Sequence, residues 1–272
     1  MNGILSYDFM VNALLASILG AVTAGIVGTY IVTRRMVFIT GGITHASFGG
    51  LGLAYFLGLN PMLGAGVFAV ASALGIEWMN QKRHLREDSL IAIAWSLGMA
   101  IGVIFIFMSP GYAPNLMSYL FGNILSVSTA DLAIMAVLMT VVLVFFTLFF
   151  RAIQYITFDE NFARTSGISV ELFKYLLMGL VAVTAVIYIR VAGIILVLSM
   201  LTVPQNTAMI LTNKLKPIIL LSILFSLAGS MAGLSISYFW NIPSGASIIF
   251  SLIMLYIIIS AVKPLWRKSV KS

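Results

Sequence analysis

Long apolar runs separated by short polar breaks organise this chain. The runs cover residues 9–33, 38–58, 61–79, 90–108, 132–150, 175–189, 193–211, 218–239 and 246–262. About 20 residues of helix cross the hydrocarbon core of a bilayer, so the pattern predicts an all-α polytopic membrane protein with nine crossings, residues 1–272 forming a single transmembrane domain. Two breaks are long enough to hold structure of their own. Residues 116–125, in the uncharged stretch MSYLFGNILS, are too few to cross and read as an extracellular half-helix or an interfacial helix. Residues 157–170 form a polar, amphipathic segment. The opening MNGILSYDFM carries no basic stretch, so the first apolar run reads as a span and not as a cleaved signal.

Composition agrees with that frame. Hydrophobic residues make up 61% of the chain and charged residues 8%, against roughly 25% charge in a soluble domain, and mean hydropathy is +1.10. The net charge of +7 comes from the loops. With the N-terminus outside and the C-terminus cytoplasmic, every one of the fifteen lysines and arginines except Arg190 falls inside, in accord with the positive-inside rule. The basic balance therefore belongs to a membrane surface and not to nucleic acid. Arg190, in YIRVAG, reads as a snorkelling side chain or as an extracellular ion-pair site. Zero cysteines exclude disulfides, thiolate metal sites and cysteine nucleophiles. No G-x-x-x-x-G-K-[ST] loop is present, so ATP-driven work would need a partner chain.

His45 is the histidine that lies inside an apolar run; His84 sits in the charged loop NQKRHLREDS and reads as solvated. Around His45, small residues at Gly42, Ala46, Gly50 and Ala54 make a ridge for close helix packing, and a second ridge at Gly20, Ala24 and Gly28 suggests its partner. Gly41 and Gly49 flank His45 on the neighbouring ridge. They would leave room beside the imidazole for a small ion; the competing expectation is a neutral imidazole hydrogen-bonded to an adjacent helix.

In the segment 157–170, Asp159 and Glu160 open a short helix, Arg164 stands near its end and Gly167 falls where a C-cap belongs. Phe158 and Phe162, four apart, would share an apolar face that suits either another protein's groove or lipid. A secondary transporter or channel for a small cation is the alternative to a partner-driven permease. It would call for an acid deep in a span, and none of the eight acids is deep, Glu77 lying near the inner end of its run. GSMAG at residues 229–233 is a packing ridge and not a nucleophile elbow, and the scattered methionines read as packing.

Three blocks resemble the membrane permease of bacterial ABC importers for divalent metals, the zinc and manganese uptake family, over essentially the whole chain. They are THASFGGLGLAYFLG from Thr44, similar to a Ser-His-Ala block with downstream glycines; FDENFARTSG from Phe158, similar to the Asp-x-x-x-Ala-x-x-x-Gly coupling segment; and GIILVLSMLTVPQNTA from Gly193, similar to a block ending in Pro-Ala-Ala-Thr-Ala. The resemblance implies a homodimer in the bacterial inner membrane, two copies of a cytoplasmic ATPase, an extracytoplasmic metal-binding protein and a divalent metal as substrate, with no permanently bound cofactor and no enzyme activity in this chain. It assigns Asp159, Glu160, Phe162, Ala163, Arg164 and Gly167 to ATPase coupling. It assigns His45 as a transient ligand in the metal pathway, with an aspartate one turn earlier; this chain has Gly41 there. Thr44, Gln205 and Asn206 are candidate substitutes in the pathway, the two amides reading first as helix-end polar groups.

Overall fold

The structure is a computed structural model that describes residues 8–83, 87–109, 122 and 124–269. Its helices are α1 (Asp8–Thr33), α2 (Val37–Phe56), α3 (Pro61–Arg83), α4 (Glu87–Met108), a 3-10 turn (Ile124–Ser126), α5 (Thr129–Leu148), α6 (Phe150–Phe158), α7 (Glu160–Thr165), α8 (Val170–Met200), α9 (Val203–Leu211), α10 (Leu215–Trp240) and α11 (Ser244–Ser269). Among the described residues, eight segments are long and apolar enough to cross a membrane, one of them holding two of the nine expected runs. The break expected at YIRVAG takes the form of a kink. Arg190 stays helical and Gly193 alone leaves helical geometry, at φ 78° and ψ 162°, where a Cβ would be strained. Val170–Leu211 thus counts as one candidate of 42 residues. It is long enough for two crossings of about 20 residues each, so it holds both of the apolar runs at 175–189 and 193–211. His84 lies outside the described residues, and so does the expected half-helix at 116–125 apart from Gly122, Ile124 and Leu125.

The chain divides into two compact units. The first comprises Met1–Thr33, Leu120–Leu148 and Val191–Ser272. In it α1 lies against α5, α9 and α10, and α10 lies against α11. Glycine notches set these approaches: a Cβ on Gly25 would strike the Ile223 side chain, one on Gly28 the Gln205 amide, and one on Gly233 the α11 backbone at Ile248. On the Gly20, Ala24 and Gly28 ridge, Gly28 and the Ala24 carbonyl meet Gln205 of α9, a neighbour the sequence did not suggest. Sequence spacing shows that a small-residue face exists but carries no label for its partner. The 229–233 ridge packs on α11 as expected, Gly229 meeting Leu252.

The second unit comprises Arg34–Tyr119 and Phe149–Arg190, and α2 is its centre. The apolar window of α2 is 78% buried, against 28% for α3 and for α4. In lipid the apolar surfaces of two helices gain little by leaving their solvent, so close van der Waals approach has to hold them together. Glycines provide it here. A Cβ on Gly50 would overlap the Gly64 carbonyl of α3, and one on Gly98 or Gly102 would overlap the α2 backbone at Ala46 or Phe48. Ile39, Ile43, Phe48, Ala69 and Ile76 join Met178 of α8 in the core. A smaller core of Ile156, Ala163 and Val170 ties α6, α7 and α8 together.

Candidate functional site

His45 projects from α2 onto α4. Its imidazole stacks on the Trp95 indole with ring centroids 4.2 Å apart and planes 4° from parallel. The room expected beside Gly49 is taken by α4: a Cβ there would lie 2.8 Å from the Gly98 carbonyl oxygen and 3.1 Å from the Phe68 ring. The glycines on this face admit a helix backbone and not an ion. What remains polar is the edge of the ring, whose Nδ1 is buried without a hydrogen-bond partner. The neighbouring hydroxyls are already committed. Thr44 Oγ1 donates to the Gly41 carbonyl at 2.8 Å and Ser47 Oγ to the Thr44 carbonyl at 2.6 Å, the local back-bonding by which a helix satisfies a buried hydroxyl. An unpartnered buried nitrogen is costly, and a ligand that accepts its lone pair would remove the cost. Among the described residues no three His, Cys, Asp or Glu side chains gather to hold a metal ion, and Gly41 is buried in α2 without a side chain to offer.

Gln205 and Asn206 belong to the other unit. Gln205 is fully buried in the first turn of α9, where its Nε2 donates to the Ala24 carbonyl at 2.8 Å and to the Met200 carbonyl at 3.1 Å. Asn206 is exposed and its Nδ2 donates to the Thr202 carbonyl, 2.8 Å away. One amide pins α9 to α1, and the other closes the break after α8.

The segment after α6 folds as its caps dictate. Asp159, extended at φ −151°, accepts from the Phe162 amide at 3.0 Å as the N-cap of α7. At the other end Gly167, with φ 80°, donates to the Arg164 carbonyl at 3.0 Å and Ile168 donates to Ala163 at 3.1 Å, the paired bonds of a glycine C-cap. Six coupling residues were expected, and their side chains divide by direction. Phe162 is 50% exposed and Arg164 pairs with Glu171 at the surface, whereas Ala163 is buried and Glu160 turns inward. Phe158 and Phe162 do not form an i, i+4 face, because the extended Asp159 ends α6 at Phe158; Phe162 instead meets Tyr155 edge-on at 5.0 Å. Both phenylalanines are exposed.

Glu160 has partners the sequence did not disclose. Its Oε1 pairs with Arg34, which lies between α1 and α2, and its Oε2 is 2.8 Å from Lys174 Nζ on α8. Burial alone would raise this carboxyl, but the hydrogen bonds and charges of Lys174 and Arg34 outweigh it and hold the pKa below the ordinary value of 4.5. Charge balance was a usable signal, since a half-buried acid needs a cation, but nothing in the spacing points to residues 126 positions apart. Trp95 was missed as well. Tryptophan prefers membrane interfaces, so one within an apolar run could have drawn attention.

Among the described residues, eight apolar crossing-length segments, a glycine-packed helix central to its unit and a short capped helix outside the spans define an all-α, multi-pass membrane permease. The chain belongs to the ABC 3 transport family, whose profile matches residues 6–263. It is 33% identical to the manganese transport system membrane protein MntC of Listeria monocytogenes, over 95% of this chain and 92% of that one. It is 32% identical to the manganese import system permease protein ScaB of Streptococcus gordonii, over 98% and 96% of the two chains. Among solved structures it is similar to PsaBC from Streptococcus pneumoniae in complex with Fab, at 33% identity and a TM-score of 0.83, covering 95% of this chain and 93% of that one.

Proposed function

We propose that this chain is the membrane subunit of an importer that moves a divalent metal ion into the cytoplasm, driven by ATP hydrolysis in a separate chain. Manganese is favoured over zinc by the names of the similar permeases. Two copies of the chain form the pathway, two ATPase subunits dock on α7, and an extracytoplasmic binding protein delivers the ion. The N-terminus faces outside and the C-terminus the cytoplasm of a bacterial inner membrane, the orientation that best obeys the positive-inside rule. His45 contacts the passing ion through a ring nitrogen, and with no carboxylate at Gly41 the contact is weak, which suits a site an ion has to leave. Thr44 stands one residue away, and Gln205 and Asn206 act as structural amides. The observation that carries this is the buried, unpartnered Nδ1 of His45 in the helix at the centre of its unit. Uptake of labelled manganese and zinc, measured in a strain lacking its own importers and carrying this chain with its ATPase, tests it. Uptake that persists when the ATPase is catalytically dead would reject the ATP-driven reading in favour of a secondary transporter or channel.

A further inference from the structure

Of the six residues assigned to ATPase coupling, Glu160 is the one whose charge is spent on two half-buried partners. Both of its carboxylate oxygens hold cations, and those cations come from different parts of the same unit: Arg34 just ahead of α2, and Lys174 in the first turns of α8. Arg34 reaches further. Its other terminal nitrogen donates to the Ile156 carbonyl at 3.1 Å, near the end of α6, so a single guanidinium joins α6 and α7 to the turn that begins α2. The three side chains are 20–27% exposed, which limits screening by solvent. By contrast the Arg164–Glu171 pair, 51% and 50% exposed, is of the kind that contributes little.

We propose that Arg34, Glu160 and Lys174 form a latch that carries displacement of α7 to the start of the His45 helix, acting as positioning residues for transport. This deepens the reading of α7 as the ATPase contact and rests on it. The mechanical path is short. Only Arg34, Arg35 and Met36 separate α1 from α2, and Arg35 sits in the left-handed region at φ 60°, so the turn has no slack to absorb a pull on Arg34. Val37 begins α2, and His45 lies about 12 Å along that helix, close to rigid over such a length. On the other side Ala163 is locked against Ile156 and Val170, so a push on the exposed Phe162 moves α6, α7 and the start of α8 as one body. A docked ATPase thus acts on His45 through an ion pair, with no need to reach it.

The test uses the complex of the full chain with its ATPase in proteoliposomes, scored as manganese ions taken up per ATP hydrolysed. Arg34→Gln should leave ATPase co-purification and basal hydrolysis near wild type while lowering that ratio by about tenfold, a coupling loss within the usual range for linked sites. Lys174→Gln removes one arm of the latch and should lower the ratio less; Arg34→Lys keeps the charge and should recover much of it. An unchanged ratio in Arg34→Gln overturns the latch. So does loss of the folded complex in Arg34→Gln and Arg34→Lys alike, since the group would then be structural. Phe162→Asp is the separate control. If that variant still co-purifies with the ATPase and couples normally, α7 is not the ATPase contact, and the underlying reading fails before the latch is reached.

Discussion

Glu160 and His45 stand in the same compact unit and are treated in opposite ways. Glu160 is saturated: two cations occupy its two oxygens and its helix is capped at both ends. His45 is held as firmly by shape, with Trp95 against its ring and Gly98 behind Gly49, yet its Nδ1 has no partner. A saturated network has nothing left to bind with and is suited to passing on a movement. A fixed ring with an unsatisfied nitrogen is preorganised to receive something, because the geometry is set before the ligand arrives. The contrast separates the proposed path of force from the proposed ion contact within one unit.

The largest expected effect removes the unsatisfied end of that contrast. His45→Ala should lower manganese uptake by about tenfold or more, since even the groups that merely support a metal ligand cost that much when lost, with expression and membrane insertion unchanged. Gly41→Asp should work in the other direction on affinity, because a carboxylate at i−4 shares a helix face with the imidazole. Metal titration of the purified protein, run beside uptake at matched expression, separates the two. Normal uptake by His45→Ala would make the ring a packing residue.

Phe162→Asp comes next and probes the outward face of α7. A charge set into an apolar contact should weaken ATPase association by roughly 3 kcal/mol, about a hundredfold. The folded membrane domain should survive, because the ring is half exposed and rests edge-on against Tyr155 of α6. Co-purification against ATPase concentration measures it, and unaltered binding would place the face on lipid.

How legible these two regions were in the sequence follows the range of the interactions that build them. Residues 159–167 were readable because their determinants are local: Asp159 caps an amide three residues on and Gly167 supplies a positive φ. Their inward ties were not, since Arg34 and Lys174 meet Glu160 from afar and sequence spacing carries no such distance. The extended Asp159 also undid the Phe158 and Phe162 face, a break that helical periodicity cannot see. For α2 the small-residue ridge was plain. The guest it admits was not, and the space beside His45 that looked open to an ion holds the backbone of α4. The apolar runs located the helices, and the break that hydropathy placed at YIRVAG appears as the kink at Gly193.

A smaller effect is expected from crowding the His45 face without touching its chemistry. In Gly98→Leu the new side chain would have to displace the α2 backbone at Ala46, and overpacking of this kind costs about 1–3 kcal/mol. Thermal unfolding in detergent should show the loss, and the His45–Trp95 stack should loosen with it. Since Trp95 reports on the ring above it, its fluorescence should shift in Gly98→Leu and likewise in His45→Ala. A stable protein with unchanged fluorescence would mean that the glycine contact does not hold the ring in place.

The smallest effect is one that should be missing near neutrality. Glu160 has a depressed pKa in the folded protein, so its contribution is fully present above 4.5 and disappears only as pH falls through the lower folded value. The difference in melting temperature between wild type and Glu160→Gln should therefore stay constant from about pH 8 to pH 6 and shrink only below 4.5. Both partners of the carboxyl are cations, so protonating it removes the attraction that holds the three together. A gap that closed between pH 6 and 7 would show that the inward charges are not what hold α7, and the distinction between a saturated helix and an unsatisfied histidine would lose its physical basis.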